Sequence, residues 1–92
     1  MARITLTGTL TCPNEDDADA VARYVQEHID LSRAEAGCEK FDITPTDDPL
    51  VWQVDEIWTD RAAYEAHLAR TRGSVWFVIA RDVRRDFELT EA

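Results

Sequence analysis

Apolar and polar positions change period along this chain, and each change marks an element. In residues 3–10, RITLTGTL, the apolar Ile4, Leu6 and Leu10 alternate with Arg3, Thr5, Thr7 and Thr9, the period of a half-buried strand. CPNEDD breaks that alternation. Asn14 offers an N-cap side chain, and Glu15, Asp16 and Asp17 suit the positive end of a helix dipole. From there Ala18, Val21, Ala22, Val25 and Ile29 recur at helical spacing, with Tyr24, His28 and Leu31 on the flank of the stripe. The spacing predicts a helix running to about Ala36 and stopped by Gly37.

Beyond Gly37 the alternation returns. CEKFDIT puts Phe41 and Ile43 on one face, PTDDP ends it, and LVWQVDEIW is the second arm of a hairpin. Trp52, Val54, Glu56 and Trp58 share one face of that arm; Val51, Gln53, Asp55 and Ile57 share the other. Apolar residues on both faces predict a central strand covered on both sides. Thr59 or Asp60 caps a second helix, which Gly73 ends. SVWFVIA reads two ways: as a strand from its β-branched and aromatic content, or as a short helix capped by Ser74 with Trp76 and Ile79 inward. VRRDFEL is a last strand, with Val83, Arg85, Phe87 and Leu89 on one face. The order β-α-β-β-α-β predicts an α+β, ferredoxin-like domain: an antiparallel sheet with helices on one face. The other face needs a cover, and a second copy of the chain is the simplest one.

With 92 residues and no linker, repeat or low-complexity tract, residues 1–92 form a single domain. No apolar run reaches the ~18 residues of a membrane span, and the alternating N-terminus lacks the apolar core of a signal peptide. The expected location is therefore cytoplasmic. The net charge of −9 is uneven: residues 11–60 hold fourteen acids against three bases, and residues 61–92 five against six. With no basic stripe to neutralise phosphates, neither nucleic acid nor an anionic membrane is an expected partner. Most of the acid is a solvated face. Cys12 and Cys38 lack metal-ligand spacing and are expected to be reduced.

Candidate chemistry gathers on the second helix and the strand before it. Tyr64, His67, Leu68 and Thr71 follow at i, i+3, i+4 and i+7, so His67 points at the sheet with Tyr64 one turn ahead. An inward imidazole either handles protons at a cavity or is a core histidine bonded to a backbone carbonyl. His28, on the flank of the first helix, reaches the same cavity or sits at a subunit boundary. Trp52, Trp58, Trp76 and Phe41 are large rings that fill the core or frame a pocket for a flat aromatic ligand. Glu56, inward among tryptophans, needs a partner, for which Arg61, Arg72 and Arg81 are the arginines at hand. Two histidines without HxH or HExxH spacing make no metal site, and no nucleotide loop, nucleophile elbow or flavin fingerprint is present. Neither a metal nor a cofactor is expected.

Two stretches, SRAEAGCEKFDI (Ser32–Ile43) and DEIWTDRAAYEAHLART (Asp55–Thr71), together with SVWF beyond them, resemble the antibiotic biosynthesis monooxygenase domain family. The second is the stronger, with Glu-x-Trp at a strand end, Asp, then a helix bearing a histidine. The resemblance implies a homodimer of ferredoxin-like units whose sheets pack into an α/β-barrel. It also implies oxidation of a quinol, anthrone or related polyphenol by O₂ without metal, flavin or nicotinamide. His67 matches the family's helix histidine, which makes His67 and Tyr64 the expected catalytic groups. Trp58, Trp76, Trp52, His28 and Phe41 are then the expected walls for an aromatic substrate. The haem-degrading branch is similar in outline, but MARITL lacks its first-strand asparagine, His67 stands where that branch has a helix tryptophan, and no histidine follows. A non-catalytic dimeric binding module and a cofactor-free isomerase are the competing readings of the same residues.

Overall fold

Four strands and three helices follow the order β1 (Ile4–Thr11), α1 (Glu15–Arg33), β2 (Cys38–Pro45), β3 (Val51–Trp58), α2 (Arg61–Arg72), α3 (Val75–Ile79) and β4 (Arg84–Glu91). They are seen in a computed structural model that describes residues 2–92. The strands form one antiparallel sheet in the order β2-β3-β1-β4, the ferredoxin-like arrangement predicted from periodicity. The ambiguous SVWFVIA segment is helical. Ser74 caps it, its hydroxyl accepting from the Phe77 N–H, and Trp76 is its buried residue.

Local chemistry accounts for the helix boundaries. Asn14 Oδ1 accepts from the Asp17 N–H (2.8 Å) at the start of α1, and Asp60 Oδ1 accepts from the Ala63 N–H (2.8 Å) at the start of α2. α1 stops at Arg33, three residues short of the predicted end. Ala34 is the C-cap, and Glu35 turns back to bond the Ser32 carbonyl. Gly37 lies beyond this turn at φ 84°, where its carbonyl accepts from Thr59 N–H and a Cβ would press on the Ala63 methyl. Glycine is thus needed to start β2 rather than to end α1.

One sheet face carries the core. Ile4, Leu6, Leu10, Phe41, Val54 and Trp58 are buried there, under Val21, Val25 and Ile29 of α1. The buried arc of α1 is rotated from the predicted stripe: Ala22 and Leu31 are exposed, whereas His28 and Ser32 are buried. The reason is tertiary, because α1 also packs against α3, whose Trp76 ring lies on His28. The helices cover only this one face. On the other, Val51, Gln53, Asp55 and Ile57 are half-buried among Thr5, Thr7 and Thr9, and Thr7 donates to Asp55 (2.9 Å). The two-sided cover predicted for β3 is therefore one-sided within this chain. β4, at the sheet edge, is exposed along its whole length. Among the described residues no helix is long and apolar enough to cross a membrane.

Candidate functional site

Helix cover that thins toward β4 leaves a cavity of about 250 Å³ between the sheet and the helices. Leu6, Phe41, Val54 and Glu56 make its floor, His28, Tyr64, His67 and Trp76 its roof, and Arg85 and Phe87 its open side. Five of the expected site residues, His67, Tyr64, Trp76, His28 and Phe41, thus line one space. Trp58 does not reach it. It is completely buried behind His67, with ring centroids 4.6 Å apart. Trp52 lies away from the cavity: opposite Leu10 and Pro45, it borders a separate hollow with Ala18, Ala22 and Leu50.

His67 is 4% exposed, and its bonds give its two nitrogens different work. Nδ1 lies 2.9 Å from Glu35 Oε1. A carboxylate can only accept, so the proton sits on Nδ1 and leaves Nε2 as an acceptor facing the cavity. Glu35 is itself gripped by Arg70, through Nε (2.9 Å) and Nη2 (2.7 Å), and Arg70 also donates to Ser32 Oγ (3.0 Å). Burial lowers the His67 pKa, and the Glu35 bond only partly opposes this, so the ring is neutral at pH 7. The histidine is held by a carboxylate–arginine pair, not by a backbone carbonyl.

Glu56 completes the proton-handling face. It is 6% exposed, and its Oε1 accepts from Trp58 Nε1 (2.9 Å) and stands 4.0 Å from His67 Nε2. Burial pushes its carboxyl up to about 7, the Trp58 bond offsets part of this, and repulsion from Glu35 adds to it. None of the arginines expected to neutralise it does so. Arg61 pairs with Glu91, Arg81 with Asp82, and Arg72 is exposed on the outer side of α2. A hydroxyl oxygen placed about 2.8 Å from both Nε2 and Oε1 would see them at an angle of about 90°, which suits donating to one while accepting from the other. The gap has the size of a hydroxyl oxygen.

The remaining polar groups of the roof are unusual. His28 is stacked on Trp76 (4.6 Å, 5° between planes) and edge-on to Phe41 (5.3 Å). Burial pushes its pKa down to about 3, helped by the charges of Arg70 and Arg85, and its Nδ1 has no hydrogen-bond partner among the described residues. Thr71 Oγ1 is likewise buried and unpaired. Burial raises the Tyr64 phenol, keeping it protonated. Among the described residues no group of three or more His, Cys, Asp or Glu side chains is arranged to hold a metal.

Glu35, Ser32, Arg70 and Arg85 were not among the expected site residues. Arg70 carried a local signal, since it follows His67 by three positions on the same helix face. Glu35 is far from both in sequence and gave none.

Solved structures share this architecture. A Pseudomonas aeruginosa protein is 26% identical, with a TM-score of 0.70 over 100% of this chain and 93% of its own. A Bacteroides thetaiotaomicron protein of unknown function is 20% identical, with a TM-score of 0.78 over 99% and 98%. SnoaB, a cofactor-independent oxygenase from Streptomyces nogalater, is 15% identical, with a TM-score of 0.72 over 100% and 94%. No curated protein matches this sequence. Residues 3–72 match the model of one family, and with that match the chain belongs to the antibiotic biosynthesis monooxygenase family.

Proposed function

We propose that the protein is a cofactor-independent monooxygenase that oxidises a quinol, anthrone or similar polyphenol with O₂. One observation carries this reading: a buried neutral imidazole, oriented by Glu35, faces a buried carboxyl across a gap of hydroxyl size inside an aromatic cavity. Family membership supports it, as does the likeness in fold to SnoaB.

In this reading His67 Nε2 takes the proton of a substrate hydroxyl, and Glu56 holds the oxygen or passes the proton on. The resulting phenolate is electron-rich enough to give one electron to O₂. Recombination of the radical pair forms a carbon–oxygen bond, and loss of water leaves a carbonyl. For an anthrone methylene, one oxygen atom enters the product and the other leaves as water with the two hydrogens. The protein's part is to position the ring in the cavity that Phe41, His28 and Trp76 line, move the proton and exclude water. A second copy over the open sheet face belongs to the same reading, and light scattering at twice the chain mass tests it.

The enzyme is tested by O₂ uptake with a panel of quinols and anthrones, corrected for autoxidation and run with chelator. Expected is enzyme-dependent uptake that falls about 100-fold or more in His67→Ala. No uptake above autoxidation across the panel, with ligand still quenching tryptophan fluorescence, would make the domain a binding module. Product formed equally without oxygen would make it an isomerase.

A further inference from the structure

The open side of the cavity holds a cation without a counter-ion. Among the described residues Arg3, Arg33, Arg61, Arg70, Arg81 and Arg84 each lie within ion-pair distance of a carboxylate. Arg23 and Arg72 lack one but are exposed outside the cavity lining. Arg85 differs from both groups. It lines the cavity, and its one hydrogen bond is from Nη1 to the Val83 carbonyl (3.2 Å). Burial pulls its pKa down with no carboxylate raising it back, though it stays charged at neutral pH. In a chain with nineteen acids and ten bases, an arginine at a cavity mouth with no carboxylate beside it is free to meet an anion supplied by a ligand.

Arg85 borders the ligand space. Arg85 and His28 line the same cavity, and the positive charge of Arg85 is among the causes that disfavour protonation of His28. His28 remains neutral and carries an N–H with no protein acceptor, since neither ring nitrogen is hydrogen-bonded among the described residues. A guanidinium and an unused imidazole N–H lining one cavity suit a carboxylate, which takes two or more donors. We infer that Arg85, assisted by His28, is the seat for an anionic substituent, so that the ligand of this cavity is an aromatic acid.

The register sets the distance between the two ends of such a ligand. Arg85 is opposite Leu10, whereas Glu56 is opposite Leu6, with β1 between them. The two Cα positions are therefore about 14 Å apart along the strands and about 10 Å across them. The side chains reach inward from both ends, and a fused-ring core spans what remains. The hydroxyl that reacts sits at His67 and Glu56, and the carboxylate at Arg85. The reaction at the first end rests on the function proposed above; the charge preference at the second does not.

Binding of redox-inert ligands separates the two. Quenching of tryptophan fluorescence by 9,10-anthraquinone-2-carboxylate and by the corresponding carboxamide gives Kd values for an acid and its neutral isostere. The wild type is expected to prefer the acid by about tenfold or more, a preference that weakens with added salt. Arg85→Gln should abolish the preference while leaving amide binding unchanged, and Arg85→Lys should restore part of it. Equal binding of acid and amide by the wild type, or an acid preference that survives Arg85→Gln, would overturn the assignment. If the acid preference stands but no quinol is oxidised, the monooxygenase reading fails and the anion seat does not.

Discussion

The two sides of the helical layer are built differently. α1 is long, capped at its start by Asn14, and seats Val21, Val25 and Ile29 in the core. α2 is shorter and buries a single residue, His67. Along Val21, Val25 and Ile29 of α1 the layer is closed; under α2 and toward β4 it is a cavity with a buried carboxyl in its floor. The first side holds the sheet and helices together by area removed from water. The second holds an imidazole and a carboxyl out of water, 4.0 Å apart, with no hydrogen bond between them. The domain separates its packed core from its candidate site.

Substitutions that probe this contrast should fall in a definite order. Ile29→Ala, on the closed side, should cost about 3 kcal/mol and lower Tm by roughly 12–20 °C in thermal unfolding. Loss of only a few degrees would mean that α1 packs more loosely than its burial indicates. Glu56→Gln should act in the opposite direction and depend on pH. The folded pKa of about 7 lies above the ordinary 4.5, so folding favours the protonated carboxyl, and that contribution is lost as pH rises through 7. The variant should match the wild type near pH 4 and exceed it by roughly 3 kcal/mol at pH 8 in urea unfolding. A pH-independent difference would contradict the buried, water-excluded setting of Glu56. Leu68→Ala, on a residue already facing the cavity, should cost less than about 1 kcal/mol while changing the Kd of an aromatic ligand. A cost comparable to Ile29→Ala would erase the distinction between the two sides.

How much of this was legible follows from the range of the interactions involved. Element order came from short-range periodicity, and the Asn14 and Asp60 caps are local chemistry, so both could be read. His67 and Tyr64 could be placed on an inward face because helical spacing alone decides it. The burial of His28 could not, because it depends on Trp76, which arrives from α3 and turns the buried arc of α1 away from Ala22 and Leu31. Nor could Glu35, which meets Arg70 and His67 only after the sheet has brought the end of α1 to α2. Strand alternation places Glu56 inward, as it is, but does not identify its partner, which is no arginine. The actual neighbours are Trp58, two residues on along the same strand face, and His67. Ion pairs at exposed positions form with whatever lies nearest, as Arg61 and Arg81 do, and sequence carries little of that.

The central claim is that His67 is kept in place for chemistry rather than for packing. His67→Gln tests it most directly, with Tm and O₂ uptake measured on the same preparation against an anthrone turned over by the wild type. Expected are a Tm within a few degrees of wild type and uptake reduced about 100-fold or more. A large drop in Tm, with uptake per folded molecule unchanged, would contradict it and make His67 a core residue.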